Sequence, residues 1–325
     1  MLYTRREIGE RALAALPAAG LLWRRPTVFE GSIPAKPNSK WAGVQLGMNV
    51  PLPNFSATTD MRADEILERC VQLGISAVEL RSQPVEAVLG SPAAAGAQTS
   101  GGRAGAALTP EQEAAQRAAA DTLRKWRLAV PMSNVKELRR KYENAGVAIE
   151  IAKFDGIGDF TDDVIDYCFQ LAKTLGARAI STEIALPHLK RLGQFADRHK
   201  MMIGYHGHAM TTPSHWEEAF GHAKYNGANL DLGNFLAGNK TSPIPFLKQH
   251  HDRITHIHVK DRKLNGPGVA FGQGDVPIKE ALHLIRDNKW KMQGTIEFEY
   301  PIPQGSDRMM ELTKCVEYCK QCLLT

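Results

Sequence analysis

The sequence predicts a (β/α)8 barrel, a single α/β domain, on three observations. From Trp41 onward one unit recurs: an amphipathic helix, a Gly or Asn turn, then a short strand ending in a polar residue. Eight such strands fit in about 280 residues, the usual size of this barrel, whereas a doubly wound sheet commonly has five or six. No G-x-G-x-x-G follows the first strand, so the signature of a dinucleotide-binding sheet is missing.

The elements are read in order. Residues 1–26 place Arg5-Arg6 before the short apolar stretch Ala12–Leu22, the shape of a signal peptide. Thr4-Arg5-Arg6-Glu7-Ile8 resembles the twin-arginine signal, read by an export machinery that carries folded proteins. An exported, periplasmic protein is expected, tethered to the membrane if the segment stays uncleaved. The competing reading is an amphipathic helix packed on the domain. Residues 27–40, with Pro34 and Pro37, read as a linker, and the barrel takes 41–325. Strand 1 is GVQLGMNV (43–50), followed by a helix that Asp60 can cap and Gly74 closes, then strand 2 at 75–80. Residues 90–108, rich in Gly, Ala and Ser, interrupt the rhythm as a surface loop, with a lid as the alternative. A helix starts at Thr109-Pro110, where a cap precedes proline. Strands 3 to 8 follow at 147–154, 178–184, 201–209, 228–236, 253–261 and 294–301, with Thr161 capping the helix after strand 3.

Charge and cysteine content narrow the function. The net charge of +5 is small for 325 residues, and it vanishes without Arg5, Arg6, Arg11, Arg24 and Arg25. No basic face therefore points to nucleic acid. No apolar run approaches the roughly 20 residues of a membrane-spanning helix. Cys315, Cys319 and Cys322 recur at i, i+4 and i+7, the spacing of a buried helix face rather than of a zinc knuckle.

In this fold chemistry gathers at the C-terminal ends of the strands. Those ends supply Glu183 on strand 4, His206 and His208 on strand 5, and Asp231 on strand 6. Strand 7 adds His256 and His258, and strand 8 adds Glu297 and Glu299. Period-two alternation puts each same-strand pair on one side, and such charges in a packed barrel need a neutralising partner. A divalent cation held by Glu183, Asp231, His258 and Glu297 answers that need. Three carboxylates and one imidazole suit Mn²⁺ best, Co²⁺ or Mg²⁺ next, and zinc less. Glu299 is the competing ligand on strand 8. Gly272-Gln273-Gly274-Asp275, after strand 7, reads as a tight turn with Asp275 as helix cap, or else as a phosphate corner.

Five segments carry a family resemblance: Gly204-Tyr205-His206-Gly207-His208, Leu230-Asp231-Leu232-Gly233-Asn234, His256-Ile257-His258-Val259-Lys260-Asp261, Phe271-Gly272-Gln273-Gly274-Asp275 and Ile296-Glu297-Phe298-Glu299-Tyr300-Pro301. The chain resembles the xylose-isomerase-like TIM barrels, the superfamily of sugar isomerases and epimerases that also holds inosose dehydratase and endonuclease IV. The resemblance covers residues 42–322. It implies the same four metal ligands, a proton-moving role for Glu183 or Glu297, and substrate-facing roles for His206 and His208. His208, Asn234, His256, Lys260 and Glu299 are the expected substrate contacts. Two departures from the ketose epimerases stand out. Asn234 replaces the His of their Asp-x-x-His, and the segment between strand 4 and its helix is short, Pro187 already opening that helix.

The resemblance implies a metal-dependent sugar isomerase or epimerase that abstracts a proton next to a carbonyl and passes through a metal-bound enediolate. The first alternative is a lyase or dehydratase expelling a β-substituent from a keto-sugar or keto-glycoside, which Asn234 and the export signal favour. The second is a non-catalytic sugar-binding barrel. The expected partner is a small sugar or glycoside, and a homodimer is expected because barrels of this type often pair.

Overall fold

A computed structural model describes residues 36–92 and 109–325. Eight parallel strands close on themselves: β1 (Val44–Val50), β2 (Ala77–Arg81), β3 (Ala148–Lys153), β4 (Ala179–Glu183), β5 (Met202–His206), β6 (Asn226–Asp231), β7 (Ile254–Val259) and β8 (Gln293–Ile296). Closure is made by β1 against β8, in the register Leu46↔Gly294 and Met48↔Ile296. Before β1, Lys40–Trp41 pairs antiparallel with its start. The expected (β/α)8 barrel is what forms. The twin-arginine-like segment, linker residues 27–35 and insertion residues 93–108 lie outside the described residues. Among the described residues no helix is long and apolar enough to cross a membrane.

The helices follow the apolar periodicity. In α1 (Ala63–Gln72) the buried face is Ala63, Ile66, Leu67 and Cys70, as the 3.6-residue repeat requires. Its cap is Arg62 rather than Asp60, which stands two residues too early. Between β2 and β3 run α2 (Ser82–Val88), α3 (Pro110–Ala129) and α4 (Met132–Asn144). The expected start of α3 holds: Thr109 accepts from the Gln112 N–H, and the Gln112 side chain returns a bond to Thr109 N–H. Four helices carry the chain from β3 past β6: α5 (Asp162–Leu175), α6 (Leu189–His199), α7 (Pro213–His222) and α8 (Leu232–Asn239). Strand 6 was expected to run to residue 236, yet it stops at Asp231. The Asp231 carboxylate accepts the Asn234 N–H and opens α8 there. After α9 (Ile244–His250), α10 (Ile278–Asp287) and α11 (Arg308–Leu324) close the ring. Cys315, Cys319 and Cys322 are all buried on α11 and unbridged, the packing face expected of them.

Two irregularities aim the barrel's interior side chains. The register slips between Val78 and Glu79 along β2–β3, and between Ala228 and Asn229 along β6–β7, each adding one residue to one strand. The second slip sets His256 opposite Asn229 and His258 opposite Asp231. Side chains then meet across the barrel, as Asn229 does with Ser181 and Glu79 with His258. Only inward-facing residues of non-adjacent strands can do that.

Candidate active site

At the C-terminal ends of β4 to β8, two charged clusters share His206. The inner one is His206, Asp231, His258 and Glu297, whose donor atoms lie within 4.8 Å of one another and whose side chains are all buried. Its distances are His206 Nε2–Asp231 Oδ2 3.2 Å, His258 Nδ1–Glu297 Oε2 3.1 Å and His258 Nδ1–Asp231 Oδ2 4.0 Å. The outer one is Glu183 with His206 and His208, at 2.8 Å and 2.7 Å from its Oε2. Gly207, between the two histidines, makes room for Trp216, because a Cβ there would come within 2.3 Å of the indole ring.

Two lysines neutralise these acids. Lys260, 2 % exposed, sets its ammonium 2.8 Å from Asp231, 2.5 Å from Glu297 and 2.7 Å from Glu299. Lys153, 1 % exposed on β3, lies 2.9 Å from Glu183 Oε1. Burial opposes ionisation of Glu297, but Lys260 and His258 hold its carboxyl well below the usual carboxylate range. The same contest, won by Lys153 and His206, keeps Glu183 ionised. His258, buried between Glu79 and Glu297, is pushed up to about 10 by those carboxylates against the effect of burial. His256 goes the other way, lowered by burial to about 4.

The residues expected from the sequence therefore separate into groups. Asp231, His258 and Glu297 come together as foreseen. Their fourth companion is His206, whereas Glu183 is tied to His206 and stands one layer further out. Lys260 and Glu299 flank the cluster, and Glu299 is partly open to solvent. Asn234 is buried and bonds Asp231 Oδ2 at 2.9 Å and the Gly207 carbonyl, so it braces a carboxylate rather than facing the opening. His256 is fully buried beneath His258, against Thr255 and Glu79, away from any substrate. The sequence reading missed Glu79, Lys153 and Arg81, which pairs with Asp155. Their signal was a charge inside a strand buried on both faces, which has to find a partner.

The loop after β7 is filled from within. The Gly272 and Gly274 N–H groups both donate to Asp261 Oδ2 at 2.8 Å, and a Cβ on Gly274 would sit 1.9 Å from Asp261 Oδ1. Amides that could hold a phosphate thus already hold a carboxylate. Asp275 does not cap α10, which begins at Ile278; it accepts from Leu264 N–H and pairs with Lys263.

The residues of the inner cluster fit a divalent cation. Two ionised carboxylates and two imidazoles converge in a buried space, and the ammonium of Lys260 already touches one oxygen of each carboxylate. Such a donor set calls for positive charge.

Comparison with known proteins agrees with this architecture. Residues 180–319 match the family model "Xylose isomerase-like TIM barrel", and the closed eight-stranded barrel agrees with the fold that model describes. A xylose isomerase domain protein from Planctomyces limnophilus aligns at 15 % identity and TM-score 0.56, over 87 % of this chain and 97 % of its own. D-psicose 3-epimerase from Clostridium cellulolyticum H10, solved with D-tagatose, aligns at 9 % and 0.57, over 86 % and 99 %. The probable 3-DHS dehydratase AsbF of Bacillus anthracis aligns at 12 % and 0.56, over 84 % and 98 %. At these identities the likeness is one of fold. Among curated proteins, none matches significantly by sequence.

Proposed function

We propose that this protein is a divalent-cation-dependent isomerase or epimerase of an unphosphorylated keto-sugar. The observation that carries the reading is Glu183, an ionised and partly open carboxylate held between Lys153, His206 and His208 at the edge of a buried cation cluster. Asp231, His258 and Glu297, with His206, would hold the cation. A bound divalent ion there supplies Lewis-acid polarisation of the substrate's carbonyl and neighbouring hydroxyl oxygens. Glu183 takes the proton from the carbon next to the carbonyl, and His208, bonded to the same carboxylate and reaching solvent, carries it onward. Glu297 is the weaker candidate base, because it is buried and committed to an ammonium and an imidazolium. Glu299 follows β8, which stands four strands from β4 in the eight-stranded ring, and it is the second carboxylate this reading uses to return a proton to the other face.

The filled loop at Asp261 supports a substrate without phosphate. The twin-arginine-like residues 1–26 support an exported enzyme, which fractionation of cells expressing the full chain would check.

A second reading, elimination from a keto-glycoside, is favoured by one feature. His208 is solvent-exposed, and its hydrogen bond to Glu183 raises its pKa, against burial, so it can protonate a departing group on the face from which Glu183 takes the proton. Proton NMR of keto-sugars and keto-glycosides in D2O separates the two. Isomerisation or epimerisation washes deuterium into the carbon beside the carbonyl and yields an isomer; elimination releases the substituent. In either case Glu183→Gln should slow the reaction at least about 100-fold. A variant within about threefold of wild type would remove Glu183 from the mechanism.

A further inference from the structure

We propose that Glu79, on the opposite side of the barrel from the cluster, is the positioning residue that turns His258 toward the cation. The proposal rests on the reading of His206, Asp231, His258 and Glu297 as a cation centre. Glu79 is fully buried in the middle of β2 and its carboxylate reaches across the barrel to His258 on β7. Its Oε2 lies 2.6 Å from His258 Nε2 and 3.2 Å from His256 Nε2, while its Oε1 meets no partner among the described residues. None of the readings above requires such a carboxylate, and leaving one buried is costly unless it binds something.

His258 offers two ring nitrogens and can present only one to a cation. An ionised carboxylate accepts and cannot donate, so the 2.6 Å contact fixes a hydrogen on Nε2. Nδ1 faces Glu297 and Asp231, and without a cation its hydrogen points to the Glu297 carboxylate; that hydrogen is the one a bound cation would displace, leaving the Nδ1 lone pair for the cation. Carboxylate, imidazole and cation would stand in line, an arrangement that sets tautomer and ring angle together and raises the basicity of the ligating nitrogen. His256 packs against His258 with ring centroids 5.3 Å apart and shares the Glu79 oxygen, which holds the first ring from below. Without Glu79 the His258 ring could turn, or move its hydrogen to Nδ1, and either change would take the lone pair away from the cluster.

The test is Mn²⁺ binding to metal-stripped protein, followed by calorimetry, for wild type, Glu79→Gln, Glu79→Asp and a control, Glu86→Gln. Glu86 is also buried, but it belongs to α2 and pairs with Arg127 of α3 rather than with a residue of the cluster. Its variant reports what a lost buried carboxylate does to the fold alone. We expect Glu79→Gln to weaken Mn²⁺ binding about 10- to 100-fold. Glu79→Asp should recover part of that loss, and Glu86→Gln should bind as wild type does. Nitrogen-15 spectra of the Zn²⁺-loaded protein should show His258 metallated at Nδ1 and protonated at Nε2, with that signature lost or mixed in Glu79→Gln. Equal Mn²⁺ affinity in wild type and Glu79→Gln would overturn the role of Glu79 and leave the cation centre standing. A Glu86→Gln affinity as weak as that of Glu79→Gln would also overturn it, by making the loss a matter of folding. Wild type that binds no Mn²⁺ would overturn both.

Discussion

Glu183 and Glu297 end strands on opposite sides of one barrel, yet the structure gives them different surroundings. Glu297 is 4 % exposed and meets Lys260, His258 and the Asn49 amide. Glu183 is partly open, and one of its partners, His208, reaches solvent. Both are held ionised, but only Glu183 can exchange a proton with something outside. Under the proposed function one of these carboxylates would hold a cation and the other move a proton, and what separates them is access to water rather than residue type.

That contrast breaks first at Glu297. Glu297→Gln leaves a buried ammonium and a buried imidazolium short of a counter-charge, so metal-free protein should lose about 3 kcal/mol by urea denaturation. It should also lose Mn²⁺ measured by elemental analysis. Glu183→Gln should retain Mn²⁺ to within about threefold, since His206 and not Glu183 completes the inner cluster. If the metal content of Glu183→Gln falls as far as that of Glu297→Gln, Glu183 is a ligand and the division of labour fails.

Lys260 sharpens the same comparison from the other side. Its ammonium sits on the carboxylate oxygens a divalent ion would use, so the two cations compete for one place. Lys260→Met should therefore bind Mn²⁺ about tenfold more tightly, one charge at close range being worth at least 1.4 kcal/mol in a buried site. Metal-free Lys260→Met should be less stable than wild type, as three carboxylates lose their partner. Unchanged affinity would mean that Lys260 leaves the cluster without resistance.

How far the sequence reveals this division depends on the kind of interaction. The barrel was legible because each strand and helix carries its own periodicity, and Asp231, His258 and Glu297 were legible because they end strands. The arrangement around them was not. The sequence placed Glu183 among the ligands because its strand position allows it; that His206 stands between depends on the register of β4 with β5, in which Glu183 pairs with His206. Glu79 and Lys153 lie inside short apolar strands, and their partners are distant in the chain: Glu79 and His258 are 179 residues apart. The extent of strand 6 was misjudged because Leu232–Leu236 is apolar enough to read as strand, whereas the Asp231 cap turns it into helix.

The smallest effect lies at His208, where Glu183 meets solvent. The hydrogen bond from His208 Nε2 to Glu183 raises the imidazole above its ordinary value; burial opposes this, the charges of Glu183 and Asp231 add to it and Lys153 subtracts. The ring of His206 stands edge-on to it, centroids 4.8 Å apart, and its own backbone N–H is tied to Thr211. Because the folded value is the higher one, the stability this contact gives is complete below the unfolded value of about 6.5 and is lost as pH rises through the folded value. An NMR titration of metal-free protein should show His208 titrating above an ordinary histidine, and Glu183→Gln should bring it down. The reaction of wild type, where it needs His208 as an acid, should decline over the same rise in pH. A His208 midpoint that does not move in Glu183→Gln would mean that Glu183 and His208 do not share a proton, and the open carboxylate would lose its route to solvent.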